Sequence, residues 1–338
     1  MSETAATREQ GSPAVEPQDA PVVSVLIPAY NAARYIGETL DSVLAQTFKE
    51  YEIVVVNDGS PDTPELERAL APYRSRIVYL TQENGGPGRA RNTAIEASRG
   101  RYIALLDADD LWEPEYLSVQ VAALERDPSL DVVYSNGRIF GDGADVGREM
   151  MEAFPSQGEV TFESVVRGRC TVLICAVMRR ETVVGVGMFD QTFRGVEDFE
   201  LWLRILGRGG RISYHRQVLM RYRRVSGSLS SSPTRMYGQA LEVFEKAGRT
   251  LTELTDADRQ ALREETAHYR AMLRLAEGKD ALARNDFRAA TEGLSEANVY
   301  FGSGKLKLIL LLLRFAPKLL QGAYQLRNRY LLRSEARV

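Results

Sequence analysis

Two cysteines and two histidines among 338 residues leave little for a zinc site or a disulfide framework. Cys170 and Cys175 stand five apart in an apolar stretch with no second pair to complete a metal site, so both are expected to be buried thiols. Free thiols suit a reducing compartment. No run approaches the ~20 consecutive apolar residues that a spanning helix needs; Leu308 to Leu313 is much too short alone. Neither sign of charge dominates: the net charge is −3, so no global field favours nucleic acid. Residues 1–20 have no apolar core and read as a disordered tail, not a signal peptide. The expected location is cytoplasmic.

Two glycine motifs fail on inspection. A dinucleotide-binding G-x-G-x-x-G should follow the first strand, where Pro28-Ala-Tyr-Asn31 stands instead. Gly302-Ser-Gly-Lys305 is no phosphate loop, because Val299 and Leu306 occupy its first glycine and its hydroxyl position.

What is present is an alternation. Val22 to Ile27, Glu52 to Val56, Arg76 to Leu80, Arg101 to Leu106 and Asp131 to Tyr134 read as strands, the first ended by Pro28. Helical spacing lies between them, over 33–48, 64–70 and 90–98 and from Pro114 onward. Continuous apolar strands separated by helices predict an α/β fold, a mainly parallel sheet with helices on both faces. Ligands of such sheets bind beyond the carboxyl ends of the strands. Here those ends are Ala29-Tyr30-Asn31, Asn57-Asp58, Glu83-Asn84 and Asp107-Ala108-Asp109-Asp110, all polar or acidic. The boundaries predicted are a tail (1–20), an α/β domain (21–235) and a helical extension (236–338). Within the extension, 269–298 resembles one tetratricopeptide-like helix pair.

Asp107 and Asp109 stand where carboxylates can converge on one cation. A hard divalent ion, Mn²⁺ or Mg²⁺, held there offsets the charge of a leaving diphosphate; a solvated acidic turn explains the same residues without chemistry. Asp58 suits either a nucleotide contact or an Asx turn. Gly85-Gly-Pro-Gly-Arg-Ala-Arg91-Asn92 joins glycines to two arginines at a helix start, where exposed amides and guanidinium groups suit phosphate. Glu197-Asp198 opens an amphipathic helix, where acids also favour the dipole.

Together these segments resemble glycosyltransferase family 2, of the GT-A type. The resemblance is carried by Val23-Ser-Val-Leu-Ile-Pro-Ala-Tyr-Asn31, Val54-Val-Val-Asn-Asp-Gly-Ser60, Gly88-Arg-Ala-Arg-Asn92, Leu105-Leu-Asp-Ala-Asp-Asp110 and Glu197-Asp198, over about residues 22–232. It implies an inverting, metal-dependent transferase of the hexosyltransferase kind. The donor would be a nucleotide-diphosphate sugar, most often of UDP, and the acceptor a carbohydrate or lipid-linked hydroxyl, as in bacterial surface polysaccharide synthesis. By the same resemblance Pro28, Ala29, Tyr30 and Asp58 hold the base and ribose. Arg91 lies near the nucleotide, Asp107, Ala108 and Asp109 line the donor with Asp107 and Asp109 at the metal, and Asp198 is the catalytic base. Val225 stands about where the family often has a His, so a third protein ligand is missing from that position; Arg224, Ser228 and Ser230 either close on the diphosphate or form a basic solvated loop. A catalytically silent scaffold acting through its helical tail is the alternative.

Finally, Lys305 to Leu320 leads into Arg327, Arg329 and Arg333. Apolar residues flanked by positive charge predict a helix over 305–333 that lies on an anionic membrane face, or one that merely caps the repeat-like pair.

Overall fold

The protein is described by a computed structural model over residues 20–225 and 233–322. The expected N-terminal tail, Ser228, Ser230 and the arginines beyond 322 lie outside the described residues.

Strands β1 (Val23–Ala29), β2 (Tyr51–Asp58), β3 (Val78–Gln82) and β4 (Tyr102–Leu105) alternate with helices α1 (Ile36–Leu44), α2 (Thr63–Leu70) and α3 (Pro87–Ala97). β1 pairs with β2 and β4, and β2 with β3, all parallel. The aliphatic run Ile53-Val-Val-Val56 is buried throughout, as a strand covered on both faces requires. β1 runs past the expected stop at Pro28. The Leu26 carbonyl accepts from Leu106 on the β4 side, so Pro28, two residues on, turns its donor-less nitrogen to the same side. The β1–β4 pairing has ended there, at Leu26 and Leu105, and no ladder bond is lost.

Beyond β4 come β5 (Leu111–Trp112), α4 (Tyr116–Arg126), β6 (Val132–Gly141), α5 (Met150–Ala153), α6 (Phe162–Val166), β7 (Ala176–Arg179), α7 (Arg180–Gly185), α8 (Glu197–Leu206) and β8 (Ile212–Arg224). The sheet order is β3-β2-β1-β4-β7-β6-β8-β5. β7 lies antiparallel between β4 and β6, and β5 is antiparallel to β8, while β6 and β8 are parallel. The expected mainly parallel sheet is therefore a mixed one whose N-terminal half is all parallel. A buried antiparallel strand such as β7 carries the same aliphatic run as a parallel one, so apolarity alone does not report its direction. Pro114 does not open α4, which starts at Tyr116; the Pro114 carbonyl accepts from the Thr47 amide.

Helices α9 (Pro233–Thr250), α10 (Asp256–Ala283), α11 (Phe287–Phe301) and α12 (Gly304–Phe315) complete the described chain. Val243, Phe244, Ala247, Leu251, Ala261 and Leu262 belong to the core that holds the sheet. A second, smaller core forms from Ala281, Leu282, Ala290, Leu294 and Leu313. Thr255 and Asp258 form a capping box at the start of α10, and Asp286 caps α11 through the Ala289 amide. Gly278 and Gly293 let α10 and α11 touch: a Cβ on Gly293 would sit 2.9 Å from the Arg274 carbonyl oxygen.

Candidate active site

Ala29 of β1 and Asn57 of β2 are register partners, so the two strands end level. Their exits are tied together. Asn31 takes a left-handed φ of 53° and donates its amide to Ser60 Oγ at 2.7 Å, and the Ala33 amide donates to Asp62 Oδ2 at 2.9 Å. Asn57 Oδ1 accepts from the Ser60 amide. Ala29 is buried, whereas Tyr30 stands 52% exposed beside the exit, a free aromatic face at the strand end.

Asp58 closes β2 and is buried. Its Oδ1 accepts from Gln82 Nε2 at 2.7 Å and from the Gly85 amide at 2.9 Å, and its Oδ2 accepts from the Gly86 amide at 2.8 Å. The expectation that the glycine loop offers its amides to phosphate is therefore corrected at these two positions: both point inward, onto Asp58. Positive φ at Gly86, 86°, makes that turn possible.

Arg91 on α3 is the centre of the site. Its side chain is 4% exposed; one terminal nitrogen donates to Asp107 Oδ1 and the other to Glu197 Oε1, each at 2.7 Å. Burial alone would lower its affinity for a proton, but Asp107 and Glu197 outweigh that and hold the guanidinium charged. Its buried Nε has no protein partner. Both of its charged bonds are spent on the protein, so Arg91 sets the position of Asp107 and Glu197. Asn92, the next residue, exchanges two hydrogen bonds with the Phe189 backbone, which fixes α3 against the segment leading to α8.

Asp107, Ala108 and Asp109 fill the loop between β4 and β5. Asp107 keeps a third of its side chain exposed. Burial and the neighbouring Asp107 push the Asp109 carboxyl up to about 6. Asp110 is wholly buried; it accepts from the Arg223 amide at 2.7 Å, and Cys175 Sγ lies 3.8 Å away. Arg223 also donates through Nε to the Asp109 carbonyl and through a terminal nitrogen to Glu38. The end of β8 thus fastens the acidic loop.

Asp198 lies in the first turn of α8, beside Glu197. Burial and the Glu197 carboxylate hold its acid well above the ordinary carboxylate range. Asp107 is near enough to add to that effect, which places the acidic loop and the start of α8 at one site. Arg224 is ion-paired to Asp145 at 2.6 Å, and the half-buried Val225 brings no metal donor.

The donor set suits a hard cation. Asp107 and Asp109 supply oxygens at an accessible rim, and the Asp107 charge that raises the proton affinity of Asp109 would be offset by a cation held between them. Among the described residues no group of three or more His, Cys, Asp or Glu is placed to hold a metal. The remaining ligands would come from a diphosphate and water, the usual arrangement for Mg²⁺ at phosphate sites. Glu197, Asp110 and Arg223 were missed as site residues in the sequence. The acid Glu197 precedes the chosen base, and nothing local marks it as Arg91's partner.

Residues 24–183 match the model of the family described as Glycosyl transferase family 2. An uncharacterized glycosyltransferase of Rickettsia prowazekii is 34% identical over 211 residues, covering 60% of this chain and 64% of the relative. The chain thus spans somewhat less than two thirds of that relative's length. WfgD of Escherichia coli, named a UDP-Glc:α-D-GlcNAc-diphosphoundecaprenol β-1,3-glucosyltransferase, is 32% identical over 55% of this chain and 70% of its own. Among solved structures, Staphylococcus aureus TarS 1–349 in complex with UDP superposes with a TM-score of 0.61 at 21% identity, over 90% of this chain and 91% of that one.

Proposed function

The chain belongs to glycosyltransferase family 2, and from that premise we propose that it moves a sugar from a nucleotide-diphosphate donor to an acceptor hydroxyl with inversion. The observation that carries this reading is the convergence of Asp107, Glu197 and Asp198 around one buried arginine at the carboxyl edge of the sheet. Tyr30, at the β1 exit, offers its ring to the base, and the neighbouring loop edge takes the ribose. Asp107 and Asp109 would hold Mn²⁺ or Mg²⁺, which supplies positive charge against the departing diphosphate. Asp198 takes the proton of the acceptor hydroxyl as its oxygen attacks the anomeric carbon from the face opposite the leaving group. A single displacement with one base inverts that centre.

UDP is the donor nucleotide we favour, and a saccharide carried on a lipid diphosphate is the acceptor class, reached from the cytoplasmic side. WfgD, with its UDP-sugar donor and diphosphoundecaprenol-linked acceptor, supports both. The test is a thermal-shift panel of nucleotide diphosphates with and without Mn²⁺, joined to an assay for donor hydrolysis. A ligand that binds the folded state alone raises its melting point. Metal-dependent hydrolysis of UDP- or GDP-sugars that disappears in Asp109→Ala supports a transferase; binding with no turnover in the native chain supports the silent scaffold.

A further inference from the structure

Helix α12 is apolar on two opposite faces. Leu306, Ile309, Leu310 and Leu313 follow i, i+3, i+4, i+7 and lie against the second core. Leu308, Leu311, Leu312 and Phe315 repeat that spacing two residues later, half a turn round the helix, and face out. Their exposures are 57, 53, 39 and 73%, and Leu319, past the helix end at Ala316, is exposed as well, at 78%. A helix with leucine on both faces calls for a cover on the second. Single exposed leucines are ordinary, but a contiguous row of this kind marks an interaction surface.

The rim identifies the cover. Lys305 borders one side of the outer face, and Lys307 and Arg314 border the other, at the angles where lysine and arginine stems can reach past apolar groups to charged headgroups; exposed Lys318 follows just beyond the helix end. No acidic residue occurs between Glu296 and Glu335. Apolar residues in the centre, cations on both flanks and no anions complement an anionic lipid surface. They fit a second copy of the chain poorly, since pairing this face with itself would bring its cations together. Among the described residues no helix is long and apolar enough to cross a membrane.

We propose that the outer face of α12 docks in the plane of an anionic bilayer, with Leu308, Leu311, Leu312 and Phe315 seated among the acyl chains, Lys305, Lys307 and Arg314 at the phosphates, and the exposed Lys318 and Leu319 beyond the helix end extending the contact. The inference stands on the helix alone and goes beyond the transfer reaction.

Full-length protein is sedimented with vesicles of phosphatidylcholine and of phosphatidylcholine mixed with phosphatidylglycerol. The native chain is expected in the pellet with the anionic vesicles, with binding that weakens as salt rises. Lys307→Gln with Arg314→Gln and Lys318→Gln should cut the partition coefficient at least ~10-fold. Leu311→Glu with Phe315→Glu should abolish binding while leaving the melting temperature unchanged, because both side chains face outward. A native chain that stays in the supernatant overturns the proposal. So does binding that is indifferent to lipid charge and to the triple substitution, or a dimer in solution, without vesicle binding, that dissociates in the Leu311→Glu, Phe315→Glu chain. Should the glutamate pair fail to fold, lipid charge, salt and the triple substitution still decide.

Discussion

Arg91 and Glu197 stand 106 residues apart in the chain and meet at 2.7 Å, their side chains 4% and 5% exposed. The bond joins helix α3 of the parallel half to the start of α8, and a second bond carries the link to Asp107. Removing the cation would leave the Glu197 carboxylate buried without its partner. Arg91→Leu is therefore expected to destabilise the protein by about 3–5 kcal/mol, read from the urea midpoint. Glu197→Gln, which retains an acceptor, should cost clearly less; equal losses would mean that the pairing contributes little beyond packing.

Asp109 has an acid constant of about 6 in the folded chain, against 3.8 for an unperturbed aspartate. Between those values the folded state holds more proton than the unfolded one, so stability declines as pH rises through that window. Asp109→Asn should accordingly raise the melting point of the metal-free protein above neutral pH by about 1–2 kcal/mol of stability, a few degrees. Near pH 4 the difference should vanish. The same substitution should end the Mn²⁺-dependent thermal shift with UDP, and retention of that shift would assign the metal elsewhere.

Asp198 is held above the ordinary carboxylate range by burial and Glu197. A base of that kind is lost to protonation as pH falls, so kcat/KM should drop on an acid limb well above the ~4 of a free aspartate. Asp198→Asn should preserve UDP binding and lower turnover by ~10² or more. Near-normal turnover would move the base to another residue.

Asp58 accepts the amides of Gly85 and Gly86 with both carboxylate oxygens. Asparagine keeps one acceptor and sets an NH₂ group against the other donor. Asp58→Asn should destabilise by about 1–3 kcal/mol and loosen the loop, seen as faster amide exchange at Gly85 and Gly86.

Phe244 of α9 packs edge-on against Phe199, next to Asp198, and against Tyr269 of α10. Phe244→Ala should cost about 3–5 kcal/mol in denaturant. A loss under 1 kcal/mol would mean that α9 adds little to the catalytic core.

The strand exits were legible in the sequence because each is a local pattern: an aliphatic run, then a polar or acidic turn. Asp107 after β4 and Asp198 in α8 both lie within electrostatic reach of Arg91. The direction of β7 was not legible, since Ala176-Val-Met-Arg179 carries no mark of its partners. Nor was the inward use of Asp58, because an Asx turn and a buried acceptor for a distant loop have the same local sequence. Arg223 was hidden for a related reason: it lies near the end of a strand rich in arginine, and only pairing across the fold shows which of their side chains reaches the Asp109 carbonyl.

One helix, α10, serves both cores. Ala261 and Leu262 near its start belong to the first, and Ala281 and Leu282 near its end to the second. Its 28 residues make a rod of roughly 42 Å at 1.5 Å per residue, with no proline or break along it. A tail seated by α12 would thus work as a bracket and not a tether. The stand-off between bilayer and sheet edge would be set by helix geometry, so inserting residues into α10 should shift the reach of the enzyme in steps and turn its mouth by about 100° for each residue added.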